Sequence, residues 1–321
     1  MDRKRDRRQH QVVAMNMLFR HLSAASFFAV GCASAWAQAE EKFAIPRVHG
    51  TYEQKTEKLK AGSVPQLFLG TASVAPLQSQ PFVVSLGLKQ VRTELGHFCG
   101  GVAIDPYWVL TAAHCVSSVT AAEGKSLIVP LDPEKAQVME GSNVLFRGGR
   151  IKTISRIVIH PEHRLSAKKA PENDIALVQF TTPLSSKPIR IATPAEFDTL
   201  TKAGEMIRIL GWGTASFLGD GPISNNLLYA FVGVRDRAAC NAPDAYDGAV
   251  DESMFCAGLG TSDSCQGDSG GPAVGYVNGQ PLLVGVISWG AGCTQKKFPG
   301  VYVNVAKYIG WISTTIKSSK P

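Results

Sequence analysis

The hexapeptide Gly267-Asp268-Ser269-Gly270-Gly271-Pro272 sets one hydroxyl among glycines, which reach positive φ without a Cβ penalty. Such a turn can present Ser269 as a nucleophile and aim the backbone N–H groups of Gly267 and Ser269 at a developing oxyanion. A serine hydroxyl is a weak nucleophile at neutral pH, so it needs a base within hydrogen-bond reach and a third group to orient that base. Among seven histidines, His114 stands apart in Leu110-Thr111-Ala112-Ala113-His114-Cys115, after an apolar run and beside a cysteine able to staple the turn. Asn173-Asp174-Ile175-Ala176-Leu177-Val178 puts a carboxylate at the mouth of another apolar run. Each segment alone has a bland reading: a glycine-rich turn, a surface histidine, a capping aspartate.

These residues need a rigid frame. From Pro81 onward, short apolar runs alternate with Gly, Pro and Asn: Phe82 to Leu88, Gly101 to Leu110, Arg156 to Ile159, Ile175 to Phe180, Met206 to Leu210, Leu228 to Val234, Leu282 to Ser288 and Gly300 to Val305. Strand-length runs rich in Val and Ile, with turn formers between them, predict an all-β sandwich or barrel. Near the end, Val305, Tyr308, Ile309, Ile312 and Ile316 recur at helical spacing, which predicts one helix capping the β-structure.

Charge argues for export rather than for a polyanion partner. The formal net charge is +7, but residues 1–37 hold six Arg or Lys against two acidic residues, so the remainder carries 27 basic and 24 acidic side chains, or +3. That is an ordinary surface, and no nucleic-acid partner is expected. The basic stretch from Arg3 to Arg20, the apolar run from Leu22 to Ala37 and the closing Ala35-Trp36-Ala37 read as a signal peptide over 1–37. The run is short and diluted by Ser23, Ser26 and Ser34, so no membrane association is expected once it is removed. Ala29-Val30-Gly31-Cys32 loosely resembles a bacterial lipoprotein signal with Ala in place of Leu. Residues 38–66 are polar and charged and read as a pro-segment or linker, with 67–321 as the main domain. Removing Cys32 with the signal leaves Cys99, Cys115, Cys240, Cys256, Cys265 and Cys293. An even set implies an oxidising compartment, extracellular or periplasmic, while sequence alone leaves the pairing open.

Taken together, the three segments in the order His114, Asp174, Ser269 resemble the trypsin and chymotrypsin family of serine peptidases, from about Pro81 to the terminal helix. The resemblance implies two packed six-stranded antiparallel β-barrels with a C-terminal α-helix and a site between the barrels. It also implies His114 as base and then acid, Asp174 fixing its tautomer, and Ser269 as nucleophile. Further implied are the pairs Cys99–Cys115, Cys240–Cys256 and Cys265–Cys293. Asp263, six residues before the nucleophile, matches the acidic pocket floor of trypsin-like members. Ser288, Trp289, Gly290 and Gly300 match the pocket walls. The implied substrates are proteins or peptides with Arg or Lys before the scissile bond; a monomer is expected, and no cofactor or metal is assigned.

One part of the family pattern is missing. Members usually become active when cleavage after Arg or Lys frees Ile-Val-Gly-Gly, whose ammonium pairs with the Asp beside the nucleophile, here Asp268; this chain lacks that tetrapeptide. Leu67-Phe68-Leu69-Gly70-Thr71 is nearest by position but has no basic residue in front, and Arg47-Val48-His49-Gly50 has the cleavage chemistry but lies far upstream. This departure supports a rival reading, a catalytically silent homologue serving as a binding module. In the loop 131–149, Asp132, Glu134 and Glu140 could hold calcium, although acidic surface loops are commoner.

Overall fold

Runs such as Val83-Val84-Ser85-Leu86 pack both faces of a pleated strand, and turn formers between them let the chain reverse. A computed structural model describes residues 47–48, 72–76, 79–122, 125–145, 147–214 and 221–319. The signal peptide expected over 1–37 lies outside these residues, as does the segment 38–66 apart from Arg47–Val48.

The first barrel contains β1 Val83–Leu88, β2 His97–Asp105, β3 Trp108–Thr111, β4 Ala136–Glu140, β5 Arg150–Ile159 and β6 Ala176–Phe180. These pair antiparallel in the order β6-β3-β2-β1-β4-β5, and pairing of β5 with β6 closes the ring. The run expected as one strand from Gly101 to Leu110 is two strands, because Pro106 follows Asp105 and Tyr107 N donates to Asp105 Oδ1 at 2.9 Å. Proline cannot donate to a ladder, so the chain turns there.

The second barrel contains β7 Met206–Gly211, β8 Leu228–Arg235, β9 Met254–Ala257, β10 Pro272–Val277, β11 Gln280–Gly290 and β12 Gly300–Asn304. Its order is β11-β10-β7-β8-β9-β12, and β11 pairs with β12 to close it. The described strands thus form two closed six-stranded antiparallel barrels, as the resemblance implies. A short strand, Arg190–Ile191, runs parallel to β11 on the way between the barrels. It leads into α1 Pro194–Leu200, started by a reciprocal cap between Thr193 and Glu196.

Both barrels are filled by apolar side chains. Val84, Leu86, Val102, Val109 and Leu177 are fully buried in the first, and Val232, Val284 and Tyr302 in the second. The disulfides fall as the resemblance implies: Cys99–Cys115, Cys240–Cys256 and Cys265–Cys293, with Cα separations of 6.2, 6.7 and 5.3 Å. The predicted terminal helix is α2 Ile309–Ser318, preceded by one 3-10 turn, Val305–Tyr308. It returns to the first barrel, where Trp311 meets His160 edge-on and Gln179 Nε2 donates to the Ser319 carbonyl at 3.1 Å. Among the described residues no helix is long and apolar enough to cross a membrane.

Candidate active site

His114 sits in the 3-10 turn Ala113–Cys115 directly after β3, and the Cys99–Cys115 bridge fastens that turn to β2. Asp174 sits just before β6, the strand that pairs with β3, so strand pairing brings the two residues together. The contact has two parts. His114 N donates to Asp174 Oδ1 at 2.8 Å, and the ring Nδ1 meets Oδ2 at 2.7 Å. Ser288 Oγ, at the end of β11, adds a third donor onto Oδ2. Burial by itself would raise the Asp174 carboxyl. The facing His114, its hydrogen bond, His163 and Ser288 outweigh that and hold it far below the ordinary carboxylate range. An anion at Asp174 keeps the Nδ1 proton on the ring, so proton exchange falls to Nε2.

Ser269 occupies a turn of the second barrel that meets the first. Its carbonyl accepts from Gly100 N of β2 at 2.7 Å, and its side chain is fully buried. Gly267 and Gly270 have φ of +96° and +80°, values that favour glycine. Size matters as well: a Cβ on Gly270 would stand 2.2 Å from Thr111 Oγ1 and 2.4 Å from Gly100 O. The expected bond from Ser269 Oγ to His114 does not form here, since Ser269 Oγ has no hydrogen-bond partner among the described residues.

Sequence reasoning missed His97, which nothing in its spacing separates from the other histidines. It is fully buried; Ser85 Oγ meets its Nδ1 at 2.7 Å and the Gly267 carbonyl meets its Nε2 at 2.9 Å. A carbonyl only accepts, so Nε2 carries the proton and Nδ1 accepts from Ser85. This fixes the peptide beside Ser269 from the first barrel.

The two further aspartates lie in the second barrel. Asp268 Oδ1 accepts from Gly213 N at 2.8 Å and Oδ2 from Cys265 N at 2.9 Å. Asp263 Oδ1 accepts from Ser264 N and Gly300 N at 2.8 and 3.1 Å, and Oδ2 from Thr294 N at 3.2 Å. Lys297 does not fold onto Asp263 but pairs with Asp244 at 2.6 Å. A Cβ on Gly300 would come within 2.7 Å of Asp263 Oδ1, so this wall must be bare. Trp289 is buried in β11 and pairs with Val301, while Gly290 ends the strand. Along the same stretch, Arg47–Val48 pairs antiparallel with Gly290 and Trp289. The acidic residues of the loop 131–149 go to separate partners. Asp132 caps Glu134 N, Glu134 pairs with Lys89, and buried Glu140 accepts from Ser185 N and Ser186 N.

Burial pushes the Asp263 carboxyl up to about 7 against its three N–H donors, and Asp268 up to about 6 against its two. Both have an ordinary value of 3.8. A raised folded value means that the folded protein keeps protons the unfolded chain has released. The stabilisation is therefore complete below about pH 4 and lost as pH rises toward about 7. His160, lowered by burial, acts in the opposite sense. Melting temperature of a Ser269→Ala background should therefore fall more steeply from about pH 4 to 7 than that of the same background with Asp263→Asn. Parallel curves would show that Asp263 titrates normally.

The sequence model of the trypsin family, described as "Trypsin", matches residues 70–312. The chain is 38% identical over 239 residues to "Trypsin Blo t 3" of Blomia tropicalis, covering 72% of this chain and 80% of that protein. It is 36% identical over 247 residues to "Serine protease 1" of Rattus norvegicus, covering 76% and 88%. It is also 36% identical over 228 residues to "Trypsin-3" of Salmo salar, covering 70% and 84%.

Proposed function

The chain belongs to the trypsin family of serine endopeptidases, and on that premise we propose that it is a secreted enzyme cutting peptide bonds after Arg or Lys through Ser269, His114 and Asp174. The observation that carries this reading is the Asp174–His114 pair, with 2.7 Å between Oδ2 and Nδ1. In the proposed reaction the Ser269 Oγ–H proton passes to His114 Nε2 as Oγ bonds to the substrate carbonyl carbon. The carbonyl oxygen becomes an oxyanion facing the N–H groups of Gly267 and Ser269. Collapse breaks the C–N bond, and the proton on Nε2 leaves with the amine. Water then repeats the cycle on the acyl-enzyme, with His114 again taking and returning a proton.

Asp263 would give the cationic residue before the scissile bond its partner. A partly buried carboxylate without a cation is costly, and the raised value of Asp263, about 7, reflects that cost. The three disulfides favour an oxidising compartment, which supports secretion. The segment 38–66 would be a pro-segment, removed before activity. Two observations favour this: Arg47–Val48 lies along Trp289 and Gly290 beside Ser288, and Ser269 Oγ is unbonded among the described residues.

The unbonded serine also keeps the silent homologue in play. The deciding assay gives the full chain, and the chain processed to a sequenced N-terminus, peptides with Arg, Lys, Asp or Phe before the scissile bond. Turnover of the Arg and Lys peptides after processing, absent in Ser269→Ala, is the expected result. Processed protein that turns over none of them would hand the reading to a binding module. Faster turnover of Phe would remove the pocket assignment alone.

A further inference from the structure

Asn173, immediately before Asp174, holds φ at +46°, a left-handed conformation that residues other than glycine adopt rarely. A glycine would meet that backbone requirement by itself. The asparagine side chain adds two tethers: Nδ2 donates to the Glu162 carbonyl at 3.1 Å, and Oδ1 accepts from Tyr308 Oη at 2.8 Å. Tyr308 belongs to the last turn before α2, 135 positions along the chain. Its buried ring stands edge-on to His160 with centroids 5.1 Å apart. His160 N in turn donates to the Ile175 carbonyl at 3.1 Å, so the stretch 173–175 is gripped from both sides of Asp174. Burial pushes the Tyr308 hydroxyl up to about 12, which keeps it a donor across the working range.

We propose that Tyr308 is a positioning residue: its bond to Asn173 Oδ1 fixes the left-handed turn that aims Asp174 at His114. The proposal rests on Asp174, His114 and Ser269 acting as the triad. Aiming matters more than holding, because a small rotation at residue 173 swings the next carboxylate away from Nδ1 while leaving strand β6 in place. A misaimed Asp174 slows proton transfer and leaves substrate binding alone.

The test uses the processed enzyme and an Arg peptide substrate. Tyr308→Phe keeps the ring against His160 and removes the hydroxyl, which bonds Asn173 Oδ1 and also meets Ser253. Its kcat should fall about fivefold, equivalent to one net hydrogen bond of about 1 kcal/mol, with KM unchanged and every molecule still titrating as active. Asn173→Gly preserves the backbone and should lose at least as much kcat; adding Tyr308→Phe to it should cost nothing more. Wild-type kcat in Tyr308→Phe, additive losses in the double variant, or a loss that titrates as fewer active molecules would each overturn the proposal. Turnover that survives Ser269→Ala would instead overturn the triad on which it rests, whatever Tyr308 does.

Discussion

Asp174→Asn is expected to lower kcat about 10⁴-fold, the magnitude known for this change in a serine triad. The contacts explain why a nearly isosteric change should cost so much. Asp174 receives His114 N on one oxygen and both His114 Nδ1 and Ser288 Oγ on the other. An amide offers one acceptor and one donor group. With its carbonyl toward the His114 backbone N–H, its NH₂ faces the ring, and the ring must then accept at Nδ1 and carry its proton on Nε2. That tautomer cannot take the serine proton. Turning the amide over points NH₂ at a backbone N–H that cannot change role, whereas the Ser288 hydroxyl can rotate, so the first orientation wins. Steady-state rates on an Arg peptide, normalised by active-site titration, should show the loss in kcat with KM within a few-fold of wild type. A loss below about tenfold would mean that Asp174 does not set the tautomer.

Asp263→Ser should lower kcat/KM for Arg and Lys peptides by about two to four orders of magnitude and leave Phe peptides unharmed. The estimate follows from breaking a buried ion pair, roughly 3–5 kcal/mol when one partner is removed. Wild-type enzyme should show the same dependence through pH. Burial pushes the Asp263 carboxyl up to about 7, so on the proposed pocket the ratio of Arg to Phe kcat/KM should fall as pH drops through that value. Taking the ratio cancels any pH dependence that both substrates share. Because a bound guanidinium pulls the carboxyl down again, the effect belongs to kcat/KM and should be weak in kcat. A ratio that stays flat from about pH 5 to 8 would separate Asp263 from the pocket floor.

Legibility in the sequence followed how much of each feature is local. The turn around Ser269 could be read because its glycines answer two local demands, positive φ and the absence of a Cβ against Thr111 and Gly100. Strands such as Val83–Leu88 were readable from their β-branched runs, whereas Met254–Ala257 was not, since its four residues carry no β-branched side chain. The hairpin Ser117–Ala122 with Lys125–Pro130 was also missed, its first strand being mostly small and polar. In the site, Ser288 was placed among the pocket walls, and its bond to Asp174 belongs to no motif. Nor does the link from Ser85 through His97 to Gly267, which spans 170 positions between the histidine and the carbonyl. Such long-range bonds are decided by which barrel edges meet, and sequence spacing does not carry that information.

The return of α2 to the first barrel, where Trp311 meets His160 and Gln179 holds the Ser319 carbonyl, bears on biosynthesis. A ribosome delivers His114 and Asp174 long before Ser269, and Tyr308 later still. On the proposed triad, a half-made polypeptide thus holds a base and its partner with no nucleophile to activate, so no working blade can form before translation is nearly done.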